Sequence, residues 1–360
     1  MSETGPIGRL VGLRKAASMK EIARFVGVSQ STVSRVLNGA NSRVPIAAET
    51  RQRVLDAARN MGYRPNPHAR GLRGAGTALL GLIVREISDP FFARAIEEVA
   101  DEARRHGYNL VLCHAHSSAR EALALAGLLE TRHTDGIILL GDLHYTTDVW
   151  SDLVEGPLPV VTLCGGHRSP GTPTVNTDNR LGVRMALDYL WELGHRRIGY
   201  FDGGWLGDVA ERREAFMAFV AERGLVMLDG YHQAAENDIG AGEEAFARTM
   251  HLPEPPTAIL CATDQVALGA LSGALRAGVK VPDDMSIVGF DDIPVARFSV
   301  PPLTTVRQPL DGLAKRAVEE VIGIIRGERQ AVSEIHYLRP ELVVRSSCAP
   351  PRTGVGRRGH

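Results

Sequence analysis

The feature that most restricts the fold of this chain is a change of hydrophobic pattern at Ala78. From there, short apolar runs recur: "ALLGLIV" (78–84), "NLVLCH" (109–114), "DGIILLG" (135–141), "PVVTLC" (159–164), "RIGYFDG" (197–203), "AILCAT" (258–263) and "SIVGFD" (286–291). Amphipathic stretches lie between most of them, such as Phe91 to His106, Arg180 to Leu193, Val209 to Arg223 and Asp264 to Ala277. Strands that are apolar throughout must be covered on both faces, which implies parallel sheets between layers of helix. The number of strands predicts two sequential doubly wound subdomains rather than one sheet. Residues 77–345 are therefore expected to form an α/β body, and residues 346–360 a disordered tail.

The N-terminal fifth is different in charge. Residues 1–76 hold 13 Lys and Arg against four Asp and Glu, a net of +9, and the remaining 28 basic and 38 acidic residues leave −10. A basic module on an acidic body points to a polyanion as its partner, because neutralising phosphates releases condensed counterions. Residues 1–17, rich in Gly, Arg and Ser without a period, are expected to be a disordered extension.

Regular structure is predicted to begin at Ser18. Ser18-Met19-Lys20-Glu21 fits a capping box, with Ile22, Ala23, Phe25 and Val26 as the apolar face of the helix that follows. Gly27 ends it, since a tight turn needs a residue that tolerates positive φ. Ser29 can cap a second helix through Leu37, with Val33, Val36 and Leu37 turned inward and Gln30, Ser31, Ser34 and Arg35 outward. A third helix, Ala48 to Met61, would bury Val54, Leu55, Ala58 and Met61. Three short helices with a Gly turn between the first two make a helix-turn-helix head over residues 18–64.

In such a unit the second helix enters the major groove of DNA. Gln30 and Ser31, with Ser34 and Arg35 one turn on, are then the candidates for base edges: Gln pairs with adenine, Arg with guanine, and hydroxyls with phosphates or either edge. Ser29 and Thr32 are better placed to cap the helix or hold phosphates. Residues 65–76, within "YRPNPHARGLRGAGT", read as a hinge in which a short helix after Pro67 is weakened by Gly71.

"GVSQSTVSRVLNG", "ETRQRVLDAARNMGYRPNPHARGLR" and "SIVGFDDIPVARFSVPPLTTVRQP" together resemble the LacI/GalR family of bacterial transcription regulators, from Met19 to Val344. The resemblance implies a homodimer on a near-palindromic DNA operator, with a body like periplasmic sugar-binding proteins that senses a small molecule. It also implies roles in the hinge: Leu72, after Ala69, wedges into the minor groove beside Arg73, while Tyr63 and Asn66 hold the backbone. The stretch "VPIAAE" before the third helix is longer than the family's usual loop.

In an open α/β fold a ligand sits beyond the carboxyl ends of the strands. "SDPFF", "GWLGDVAERREAF" and "GFDD" fall there. The resemblance makes Asp291 and Arg212 the pair that bonds ligand hydroxyls, with Phe91 and Phe92 as stacking surface, and Trp205, Thr263, Asp264 and Gln308 behind them. A carboxylate with a guanidinium suits vicinal hydroxyls, so the effector is expected to be a sugar, with a nucleobase or other metabolite as the competitor. Asp264 stands equally well as a helix cap. Asn237 and Asp238 either cover the pocket or start a helix.

Other classes are disfavoured. The lack of a signal peptide or a long apolar run places the chain in the cytoplasm, away from membranes, and argues against an exported solute-binding protein. No GxGxxG or Walker sequence, nucleophile–base pair or paired carboxylates indicate an enzyme, and no cofactor is expected. His114 and His116 lack the further ligands of a metal site, and the four scattered cysteines read as reduced thiols.

Overall fold

The computed structural model describes residues 17–38, 46–63, 76–143, 147–165, 171–204 and 207–352. Asn66, Ala69, Leu72, Arg73 and Trp205 lie outside them. The chain divides into two compact units, Met1–Thr77 and Ala78–His360.

The first unit holds α1 (Met19–Val26), α2 (Gln30–Asn38) and α3 (Ala48–Asn60). Both halves of the capping box form at Ser18 and Glu21, and Gly27 closes α1 with φ 75°. Ile22, Val26, Val33, Val36, Val54 and Ala58 make a small core that excludes water, with Leu37, Leu55, Met61 and Tyr63 packed at its edge. Arg53 ties α3 to the turn by donating from Nη2 to the Val26 carbonyl at 2.8 Å.

The body contains two six-stranded sheets. The N-terminal subdomain is built from β1 (Leu79–Val84), α4 (Pro90–Arg105), β2 (Asn109–His114), α5 (Ala119–Thr131), β3 (Gly136–Leu140), α6 (Thr147–Val154), β4 (Val160–Leu163) and β5 (Thr174–Thr177). The C-terminal subdomain follows with α7 (Asn179–Glu192), β6 (Ile198–Phe201), α8 (Gly207–Arg223), β7 (His232–Gln233), α9 (Ile239–Met250), β8 (Ala258–Cys261), α10 (Asp264–Arg276), β9 (Ser286–Asp291) and β10 (Thr304–Arg307). The chain then returns through α11 (Leu310–Ile325) and β11 (Ile335–Leu338), and ends in β12 (Glu341–Val343). The strand orders are β11-β5-β4-β3-β1-β2 and β12-β10-β9-β8-β6-β7.

This corrects the expectation of sequential subdomains. α11 packs against α4, β3, β4 and β5, and β11 pairs in parallel with β5, so both belong to the first sheet. β12 crosses back to pair antiparallel with β10. Three chain passages thus join the subdomains, at Asp178, at Gln308-Pro309 and at Arg339-Pro340. Expected strands appear within a residue or two at each end, but "TVNT" (174–177) was not among them because its composition is polar. It is buried along its length, its backbone satisfied by β4 and β11 on either side.

The tail expected from residue 346 is in fact held through Arg352. Ser347 is fully buried, donating to the Ile287 carbonyl at 2.6 Å and accepting from the Thr304 amide at 2.8 Å. His195, also buried, meets the Ala349 carbonyl at 2.9 Å. Backbone groups at the ends of β9 and β10 would otherwise be buried without partners. Among the described residues no helix is long and apolar enough to cross a membrane.

Candidate functional site

Two sites emerge, one in each unit. In the head, Gln30 and Ser31 are exposed and Thr32, Ser34 and Arg35 half-exposed on α2. Ser29 precedes the helix; its hydroxyl accepts from the Thr32 amide at 3.1 Å and lies 2.8 Å from the hydroxyls of both Ser31 and Thr32. Arg35 bends back to donate from Nε to the Ser31 carbonyl at 3.3 Å. Breaking that long, solvent-exposed bond frees the guanidinium to extend from the helix at little cost.

In the body, the carboxyl ends of β1, β3, β4, β6, β8 and β9 face one another across the cleft between the subdomains. Arg212, one turn into α8, is 2% exposed and lies over the Phe290 ring, its Cζ 3.7 Å from the centroid. Its Nη1 donates to Asp291 Oδ1 at 3.1 Å and to the Ala262 carbonyl at 2.7 Å, and its Nε to Asn179 Oδ1 at 2.9 Å. Gln308, on a chain passage, donates to the same Asp291 oxygen at 2.7 Å and accepts from Thr177 Oγ1 at 2.6 Å. The pair inferred from the family resemblance is thus assembled, and Gln308 joins it.

Asp291 stands on strained backbone. Its φ is 112° and that of Asp292 is 53°, a region that costs a residue with a Cβ about 1–3 kcal/mol. Arg307 and Arg345 hold Asp292 at 2.7 and 2.5 Å, while Arg212 and Gln308 hold Asp291. Burial pushes the Asp291 carboxyl up to about 7 despite the guanidinium beside it. Burial also raises Asp89 and Asp208, and lifts Glu211, bonded to Asn179, to about 7.

Asp89 spans the cleft mouth. One oxygen caps α4 through the Phe91 amide at 2.9 Å; the other accepts from Asn237 Nδ2 of the opposite subdomain at 2.8 Å. Asn237 in turn accepts from Thr263 Oγ1 at 2.7 Å. Of the two readings left open for 237–238, each residue takes one: Asn237 lines the cavity, whereas Asp238 caps α9 by accepting from the Ala241 amide at 2.9 Å. Phe91 and Phe92 are both buried and both line the cavity, their rings 5.5 Å apart. The space among these side chains is about 30 Å³ and adjoins a mouth groove of about 340 Å³.

The structure does not bring Asp264 to this cavity. Its carboxylate is fully buried beneath β9, accepting from Thr305 Oγ1 at 2.6 Å and from the Ile293 amide at 2.8 Å. Gly289 leaves it room: a Cβ there would stand 2.1 Å from its Oδ1. Nor is Asp264 the helix cap, a role taken by Thr263, whose hydroxyl accepts from the Val266 amide. Asp264 acts as a structural clamp on the loop that carries Asp291 and Asp292.

Of the lining residues, Arg85, Asp142 and Cys164 escaped the reading of the sequence, while Asp208 and Val209 lie in the stretch "GWLGDVAERREAF" without being singled out. The strand-end rule finds three of them, since Arg85, Asp142 and Cys164 lie one or two residues past β1, β3 and β4. Asp208 is one turn before Arg212 on the same helix face. Its Oδ1 accepts from Asn176 Nδ2 of β5 at 3.0 Å, a further bond between subdomains.

His114 and His116 are joined by no third ligand from the described residues. His114 and His116 stack at 3.8 Å, with His114 Nε2 3.5 Å from Glu86. Among the described residues the one group with three candidate ligands is Glu102, His106 and Glu319, and there Glu102 already pairs with Arg105 at 2.5 Å and His106 at 3.0 Å.

A helix-turn-helix head and a two-subdomain body with a polar cleft define a class of regulator. Residues 18–66 match the family of bacterial regulatory proteins named for lacI, and residues 187–348 match a periplasmic binding protein-like domain. The chain belongs to the lacI family and is a DNA-binding transcriptional repressor rather than an enzyme.

Its relatives make the placement specific. It is 33% identical over 333 residues to the HTH-type transcriptional repressor CytR of Escherichia coli (strain K12), covering 92% of this chain and 96% of the relative. It is 32% identical over 334 residues to the HTH-type transcriptional repressor PurR of Mannheimia succiniciproducens, covering 92% and 98%. A lac repressor dimer solved with operator and the anti-inducer ONPF shares the fold, with a TM-score of 0.84 at 24% identity over 93% of this chain and all of that one. The regulator CelR in complex with cellobiose gives 0.68 at 28% identity, covering 92% and 99%.

Proposed function

We propose that this repressor binds a near-palindromic operator as a cytoplasmic homodimer, and that a sugar bound between the body subdomains controls its grip. The observation that carries the effector half is the cavity itself: buried Asp291 and Arg212, with Gln308, Asn237 and Thr263, surround a space walled by Phe91 and Phe92. Charge-assisted hydrogen bonds from such groups suit vicinal hydroxyls, and aromatic rings suit the apolar face of a sugar. The cellobiose bound by CelR supports a sugar for this chain as well.

A cavity of about 30 Å³ admits a water molecule but not a sugar. Binding therefore requires the subdomains to part, pivoting on the three chain passages and exchanging the Asp89–Asn237 and Asn176–Asp208 bonds for bonds to the ligand. That rearrangement reaches DNA through the hinge, residues 65–76. The effector changes operator affinity only by binding the two arrangements unequally, and DNA alters effector affinity by the same factor.

On the operator, Gln30, Ser31, Ser34 and Arg35 read bases, while Ser29, Thr32, Tyr63 and Asn66 hold phosphates. Leu72, after Ala69, wedges the minor groove beside Arg73, kinking the duplex. A second copy of the chain is supported by Leu112 on the open edge of β2 and by Leu275, Phe298 and Val300 in the other subdomain, large apolar side chains left exposed.

The test is operator affinity at fixed salt, with and without a panel of sugars and nucleobases. A sugar that shifts affinity supports the reading, a nucleobase alone reassigns the ligand, and no shift removes the sensor. Leu72→Ala should weaken specific binding and bending while sparing random DNA; equal losses on both would remove the wedge.

A further inference from the structure

We propose that the cleft admits only effectors without an anionic group, so that the repressor senses an unphosphorylated solute, and that Asp208 sets this selectivity. The inference rests on the cleft being the effector site. Among the described residues its lining holds four carboxylates, Asp89, Asp142, Asp208 and Asp291, against two guanidiniums, Arg85 and Arg212, with no Lys or His.

Only one of the two guanidiniums, Arg85, has no hydrogen-bond acceptor among the described residues. Arg212 commits Nε and Nη1 to Asn179, Ala262 and Asp291, and its Nη2 stands 4.0 Å from Asp208 Oδ2. Arg85 lies over the Phe92 ring at 4.8 Å, and its charge acts on Asp89 and Asp208. A phosphate monoester would find one uncommitted guanidinium, Arg85, set among four carboxylates, and like charges repel most where they are partly buried.

Asp208 is the carboxylate best placed to enforce the difference. Its Oδ1 is engaged by Asn176, its Oδ2 accepts no hydrogen bond from the described residues, and its side chain is 12% exposed. Burial already raises the carboxyls of Asp89, Asp208 and Asp291, and an incoming anion would raise them further. Neutral hydroxyls carry no such penalty, and a carboxylate oxygen accepts from them directly. The signal would then be consumed by the class of reaction that adds the first phosphoryl group to the solute.

Calorimetry on the full-length protein tests this with ribose, glucose and adenosine, each beside its phosphate monoester, together with any compound that shifts operator affinity. The monoester should bind at least about a hundredfold more weakly than its parent. A monoester within tenfold of its parent, or one that acts where the parent does not, overturns the proposal. Asp208→Asn keeps the side-chain size and the oxygen that Asn176 engages, and should narrow the parent-to-monoester ratio by about tenfold or more. An unchanged ratio in a variant with the wild-type melting curve removes Asp208 from the role, and the wild-type comparison stands without the variant. If no neutral or anionic compound alters operator binding, the effector reading itself fails and this inference with it, a result distinct from selectivity of the wrong sign.

Discussion

The head and the cleft solve opposite problems with charged and polar side chains. In the head, Gln30, Ser31 and Arg35 stand on one short helix in reach of solvent, and beneath them lies a core of aliphatic residues. In the cleft, Arg212 and Asp291 are 79 residues apart in sequence, both nearly inaccessible, and each is part of the packing. The recognition helix keeps its contacts free for a partner to use. The cleft commits its contacts to one another, so a ligand must compete with the protein's own bonds. Changes on the exposed face of the recognition helix should therefore alter binding without altering stability, and changes in the cleft should alter both.

The largest expected effect is at Arg212. Arg212→Met keeps the side-chain length but leaves Asp291 without its buried cation and moves charge away from Asp208, which should destabilise the body by about 3–5 kcal/mol. Urea unfolding followed by the body's tryptophans measures it. A loss under 1 kcal/mol would mean that the cleft charges are not coupled to packing, and would erase the contrast with the head.

Asp291→Asn separates charge from shape. Response to effector should disappear while operator affinity in its absence is retained. Because burial raises the Asp291 carboxyl from an ordinary value near 4 to about 7, the folded protein binds more protons than the unfolded chain between those values. The contribution of that carboxyl is thus present at low pH and lost as pH rises towards about 7. Wild-type stability relative to the variant should fall across that interval and level off above it. A difference independent of pH would show that Asp291 titrates as an ordinary carboxylate.

The same contrast explains what could be read from the sequence. Gly27, the Ser18–Glu21 spacing and the apolar face of α2 act over a few residues, so the helix-turn-helix was legible except at Phe25, expected on the apolar face of α1 and found 72% exposed. The apolar strands were legible too, because each announces its burial through composition. The return of α11 and β11 to the first sheet was not, since nothing local distinguishes a strand that pairs with β5 from one that pairs with β10. Asp264 and Asp291 illustrate the limit at the site. Both are acidic residues at the carboxyl end of a strand, yet only the packing of Thr305 and Ile293 against Asp264 turns it from ligand contact into clamp. Asn237 resolved only because Asp89, 148 residues earlier, meets it across the cleft.

Smaller effects are expected in the head. Arg35→Ala should cost about 1–3 kcal/mol of operator affinity and relax base choice at one position of each half-site, with unfolding of the head unchanged. Affinity for random DNA should fall far less. Titrations on the operator and on a scrambled duplex at the same salt decide the point: equal losses on both would make Arg35 a phosphate contact, and a loss of stability would make it structural.

The finest distinction lies within the capping box. Ser18 and Glu21 cap α1 reciprocally but unequally: the Ser18 hydroxyl accepts from the Glu21 amide at 3.3 Å, whereas the Glu21 carboxylate accepts from the Ser18 amide at 2.6 Å and from its hydroxyl at 2.8 Å. Ser18→Ala removes the long bond and one exposed bond but leaves the Glu21 carboxylate on the Ser18 amide, so its cost should lie near the lower end of the cap range, about 0.5 kcal/mol. Glu21→Ala removes the short bond and the acidic charge beside the helix N-terminus, and should cost more, about 1 kcal/mol. Thermal melts of the two variants order them. The reverse order would mean that the hydroxyl, not the carboxylate, sets where the first helix begins, and neither change should move effector response in the body.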